Sequence, residues 1–129
     1  MNDVLIIDDD PATLELMSLA LSRKGYQVRT ACNGEEGERQ VKCSPPDLVI
    51  TDIVMPEKEG IYILRVLRDL APEIKVIAIS GATCWGGEHL NYLDVAERLG
   101  ADRTFAKPFH LPDLLASVGE LCAQKTGKT

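Results

Sequence analysis

The sequence predicts one α/β domain, a doubly wound five-stranded parallel sheet with five helices in three α/β/α layers. Three observations carry that expectation. Short β-branched and apolar runs alternate with longer stretches of helical period, the pattern of repeated βα units. Several of the short runs are apolar without a break, as strands buried on both faces are. The chain has 129 residues, 45% of them hydrophobic and 26% charged. That is the size of one ordinary domain, able to bury roughly two-thirds of its unfolded surface without disulfide or structural metal.

Val4-Leu5-Ile6-Ile7 reads as the first strand. Leu14, Met17 and Leu21 then share one face of a helix that opens at Asp10-Pro11, an N-cap followed by proline at the first helical position. Tyr26 to Ala31 alternates in polarity, which suits a strand nearer an edge. Glu35 to Lys42 is read as helical mainly because a crossover must join parallel strands, for its only strong apolar anchor is Val41. Asp47 to Thr51 and Lys75 to Ile79 are further continuous strands. Between them Ile63, Leu64, Leu67 and Leu70 mark a helix that stops before Pro72. Leu90, Leu93 and Ala96 mark another, ending toward Gly100. Arg103 to Ala106 is the fifth strand, and Leu111, Leu114, Leu115, Val118, Leu121 and Cys122 stripe the final helix. The domain is expected to span residues 1–124, with 125–129 a short polar tail and no effector domain after it, as in a stand-alone or an excised unit.

Fourteen Lys and Arg against twenty Asp and Glu leave a net charge of −6. That is the wrong sign for a chain that neutralises phosphates along a duplex, so direct nucleic-acid binding is not expected. Cys32, Cys43, Cys84 and Cys122 form no C-x-x-C pair and read as reduced thiols of a cytosolic protein. The start Met1-Asn2-Asp3 does not suit a signal peptide, and no apolar run approaches the ~20 residues of a membrane span. A cytoplasmic protein without membrane insertion is expected.

In parallel sheets functional groups collect at the carboxyl ends of the strands. Here Asp8, Asp9 and Asp10 follow the first strand, Asp52 the third, Ser80 and Gly81 the fourth, and Lys107 and Pro108 the fifth. Singly, each has a plain structural explanation: an N-cap, a loop carboxylate, a turn serine, a surface lysine. Together they do not. Several carboxylates converging on one sheet end repel unless a cation shares the site. A hard divalent ion such as magnesium suits oxygen ligands and leaves a position for a phosphoryl oxygen. Lys107 would add a point charge and Ser80 a hydroxyl donor, while an aspartate can itself be the nucleophile that takes up the phosphoryl group.

Ile7-Asp8-Asp9-Asp10-Pro11, Thr51-Asp52-Ile53-Val54-Met55-Pro56, Ile79-Ser80-Gly81 and Lys107-Pro108-Phe109, in this order, resemble the receiver domain of two-component response regulators. The resemblance covers nearly the whole chain. It implies a flavodoxin-like sheet of order 2-1-3-4-5 and a phosphorelay role in which Asp52 is the phosphoacceptor. Asp8, Asp9, Asp52 and the backbone carbonyl of Val54 would hold Mg2+ or Mn2+. Ser80 would hydrogen-bond the phosphoryl group, Lys107 would pair with it, Gly81 would leave room for the donor, and the Lys107–Pro108 peptide would be cis. The implied donor is a sensor histidine kinase or a histidine phosphotransfer protein, and the output partner is another, unknown protein. Docking would use the helix through Leu90, the fifth strand and the final helix. Such a domain is a signalling receiver, which assists its own phosphorylation and dephosphorylation, and not an enzyme in the usual sense.

Two features depart from the family. Thr104 stands where most receivers carry a switch aromatic three residues before the lysine, and Phe105 follows it. The segment Gly81 to Glu88 is longer than the usual connection and holds Trp85, the only tryptophan. It is expected to serve as a partner-contact loop or a lid, and to carry the transition with Ser80. Two other readings are a magnesium-dependent phosphatase of the D-x-D type, using Asp8 and Asp10, and a pseudo-receiver acting purely as an interaction module. The first lacks a downstream threonine at the expected spacing and a cap to enclose substrate, and the second does not explain why all the site positions are kept.

Overall fold

The computed structural model describes residues 2–53, 59–80, 98, 100–106 and 109–126. The elements in chain order are β1 (Asp3–Ile7), α1 (Pro11–Arg23), β2 (Gln27–Ala31), α2 (Gly34–Cys43), β3 (Leu48–Asp52), α3 (Glu59–Leu70), β4 (Lys75–Ser80), β5 (Arg103–Ala106) and α4 (Leu111–Thr126). The expectations placed on Val54, Gly81, Trp85, Lys107, Pro108 and the helix through Leu90 lie outside the described residues. The final helix continues two residues into the stretch read as a tail.

The sheet is parallel throughout, in the order β2-β1-β3-β4-β5. Successive side chains of a strand point to opposite faces, so a strand covered on both sides feeds two cores at once. In β1, Leu5 and Ile7 join Val49, Val76 and Ala78 beneath Val41 of α2 and Ile63, Leu64 and Leu67 of α3. Val4 and Ile6 join Leu48, Ile50, Ile77 and Ile79 beneath Met17 and Leu21 of α1 and Leu114, Val118 and Leu121 of α4. This explains why the central strands read as unbroken apolar runs. β2 lies at one edge, as its alternation indicated.

α2 forms on capping more than on apolar content. The Asn33 side chain accepts the Glu36 N–H at 2.8 Å, and the Glu36 carboxylate accepts the Cys32 N–H at 2.8 Å. The first bond satisfies a donor that the first turn leaves open, and the second ties the residue before the cap to the helix. The helix then buries Gly34, Gly37 and Val41.

Aspartates outside β3 and β5 stitch neighbouring strands at the amino end of the sheet. Asp47 Oδ2 accepts the Asp3 N–H at 2.8 Å, and Asp102 Oδ2 accepts the Val76 N–H at 2.9 Å. Beside the second, the Arg68 guanidinium donates to the carbonyls of Pro72 and Ile74 and closes the turn after α3. Gly100 packs on the stem of that arginine with φ of 106°, and a Cβ there would lie 2.6 Å from Arg68 Cδ. A Gly100→Ala substitution therefore meets both a left-handed backbone and an anchored neighbour. It is expected to cost about 1–3 kcal/mol, read as a lower urea midpoint at unchanged slope.

Candidate functional site

The register brings the acidic strand ends together. Ile7 of β1 is opposite Thr51 of β3, which places Asp8 beside Asp52. Asp8 and Asp52 are buried, and Asp9 is exposed. One carboxylate oxygen from each of the three lies within 4.8 Å of the others. Two unit charges that close repel by about 3 kcal/mol at an effective dielectric near 20. A cation among them reverses the sign of each contact.

Asp8 is fixed from two directions. Its N–H donates to the Ala31 carbonyl at 3.1 Å, and its Oδ1 accepts the Asp10 N–H at 2.9 Å. The Asp10 side chain serves another purpose. Its Oδ1 accepts the Ala12 N–H at 3.2 Å and its Oδ2 accepts the Thr13 hydroxyl at 2.6 Å, with Pro11 opening α1. Both oxygens cap the helix, so the three consecutive aspartates divide into two that face Asp52 and one that starts α1. The Ala31 carbonyl, the Asp10 main-chain N–H and the Thr13 hydroxyl were not anticipated from the sequence. For Thr13 a signal existed, a hydroxyl three residues after the N-cap.

Ser80 ends β4 and is buried; its preceding residue Ile79 is opposite Asp52, and the Ile79 carbonyl accepts the Ile53 N–H at 2.9 Å. The serine therefore stands at the same sheet end as Asp52. Asp52 and Ser80 are the last residues of their strands, each of which runs one residue further than the sequence suggested. Thr104 is opposite Ala78, two residues back from the end of β5, and is half-buried. Across that row run Thr51, Ala78 and Thr104, all small. Phe105 points the other way, into the core with α4, its ring 6.2 Å from that of Phe109.

The donors gathered here are all carboxylate oxygens, two of them buried, which suits a hard divalent ion and not a soft one. Three carboxylates at the carboxyl end of a 2-1-3-4-5 parallel sheet, with a buried serine at the next strand end, match the class of domain that the receiver resemblance implies. The sequence falls in the same class: the response regulator receiver domain family model matches residues 4–119, and the chain belongs to that family.

Among similar proteins is the DNA-binding transcriptional regulator NtrC of a Bradyrhizobium species, 35% identical over 121 residues, or 94% of this chain and 24% of that protein. Response regulator MprA of Mycolicibacterium vanbaalenii is 32% identical over 123 residues, 95% of this chain and 51% of that one. The chain thus spans between a quarter and about half of the length of these relatives. A CheY-like response regulator receiver domain from Methanospirillum hungatei superposes with a TM-score of 0.87 at 28% identity, covering 100% of this chain and 99% of that one. Response regulator TrrA from Thermotoga maritima, solved in complex with Mg2+ and BeF, gives 0.79 at 30% identity, covering 94% and 99%. No helix among the described residues is long and apolar enough to cross a membrane.

Proposed function

We propose that Asp52 accepts a phosphoryl group from a sensor histidine kinase or a histidine phosphotransfer protein, in a magnesium-dependent step that sets the domain's affinity for an output protein. The observation that carries this reading is the grouping of Asp8, Asp9 and Asp52 within 4.8 Å while Asp10 caps α1. Asp8, Asp9 and Asp52 would hold Mg2+ or Mn2+, with the Val54 carbonyl as a further ligand. A bound ion of this kind neutralises charge on the phosphoryl oxygens. The carboxylate oxygen of Asp52 attacks phosphorus as the P–N bond to the donor imidazole breaks, and the bonding pair leaves with the ring nitrogen, which is protonated from solvent. Ser80 donates a hydroxyl to the phosphoryl group and Lys107 pairs with it. Ser80 and Thr104 are the switch positions, and the small side chain at Thr104 leaves the change to the segment after Ser80.

In this reading the domain assists its own phosphorylation and dephosphorylation in the cytoplasm and contacts proteins, not nucleic acid. The D-x-D phosphatase reading would need Asp10 beside the metal, and the capping bonds of Asp10 weigh against it.

Acetyl phosphate with MgCl2 tests the proposal by intact-mass spectrometry. One added phosphoryl group that disappears when EDTA replaces magnesium is expected. No gain in mass, or an equal gain without magnesium, would overturn it.

A further inference from the structure

α2 rests on the sheet through a glycine. A Cβ at Gly37 would stand 2.5 Å from Ile7 Cδ1 and 3.0 Å from Ile7 Cγ1, so the helix backbone meets this side chain with no space for a methyl group. Glycine is disfavoured inside a helix relative to alanine, and Gly37 has no left-handed conformation to justify it. Close approach accounts for its presence. Ile7 is fully buried, shares its core with Ala31 and Val41, and immediately precedes Asp8.

A second link runs through the start of the same helix. The Gly37 N–H donates to the Asn33 carbonyl at 3.1 Å, and Asn33 follows Ala31 by two residues. The Ala31 carbonyl is the acceptor that holds the Asp8 N–H. The seating of α2 therefore bears on Asp8 along the chain, through Ile7, and across the sheet, through Ala31.

We infer that Gly37 is a positioning residue for the Asp8–Asp9 pair: its missing side chain sets the approach of α2 to β1 and thereby the placement of these carboxylates against Asp52. This rests on the metal-holding role proposed above. A methyl group at Gly37 displaces Ile7 or lifts α2, and either movement acts on the turn that presents Asp8 and Asp9. The collision is with the tip of one side chain, so the variant is expected to fold.

Wild type, Gly37→Ala, Ile7→Val and the double variant would be titrated with MgCl2 alone by calorimetry, with backbone amide shifts of Asp8 to Asp10 recorded in parallel. Gly37→Ala is expected to weaken magnesium binding roughly threefold to tenfold, less than is typical for loss of a group bonded directly to a metal ligand. Ile7→Val removes Cδ1, the closest atom, so the double variant should regain most of the affinity and the wild-type amide shifts. A purely structural glycine would alter the unfolding midpoint and leave the magnesium titration unchanged, which would overturn the inference. So would a double variant as weak as Gly37→Ala. Failure of the wild type to bind magnesium would instead overturn the metal reading beneath it.

Discussion

Replacing Asp52 with asparagine is expected to reduce phosphorylation by acetyl phosphate to background while leaving the fold intact. The amide matches the carboxylate in shape, and this position is only 5% exposed, so packing is preserved. What disappears is the anionic oxygen that would attack phosphorus and one of the three carboxylates that would share the cation. Magnesium affinity should fall with it. In metal-free buffer the same substitution relieves repulsion with Asp8 and Asp9, so the unfolding midpoint should be equal to or above that of wild type, by on the order of 1 kcal/mol. Loss of phosphorylation without loss of stability separates a chemical role from a structural one. A stable phosphorylated product equal to that of wild type would place the acceptor elsewhere.

The parts of the fold that were legible in the sequence are those where burial writes directly into composition. β1, β3 and β4 are covered on both faces, so every position in their central stretches must be apolar, whichever core it feeds. α2 gave a faint signal for a physical reason: two of its three buried residues are Gly34 and Gly37, the second in close approach to Ile7, and glycine carries no hydrophobic period. The capping pair Asn33-x-x-Glu36, on which the expectation of a helix did not draw, carries the stronger signal. In α3 the apolar spacing put Leu70 on the inner face, yet it is half exposed, and Ala71, just past the helix end, takes the buried place. Spacing alone does not resolve that choice, because residues three and four beyond Leu67 lie on nearly the same side of a helix. At the site, strand-end position was enough to gather Asp8, Asp9, Asp52 and Ser80. The supporting Ala31 carbonyl was not legible, because a main-chain acceptor leaves no mark in a sequence.

Substituting Asp9 and Asp10 separately should give opposite patterns although the two are adjacent and chemically identical. Asp9 is exposed and faces Asp8 and Asp52. Asp9→Ala is therefore expected to weaken magnesium binding at least about tenfold, through loss of a direct oxygen donor, with little effect on unfolding. Asp10 holds the Ala12 N–H and the Thr13 hydroxyl, so Asp10→Ala opens the first turn of α1 and should cost about 1 kcal/mol of stability. Its effect on magnesium should stay small, because Asp10 orients Asp8 through its main-chain N–H, which alanine retains. Paired urea denaturation and magnesium titration of the two variants would show the contrast directly. If Asp10→Ala lost magnesium while Asp9→Ala bound normally, the ligand set would have to be redrawn around Asp10. The D-x-D arrangement of Asp8 and Asp10 would then be the better description of the site.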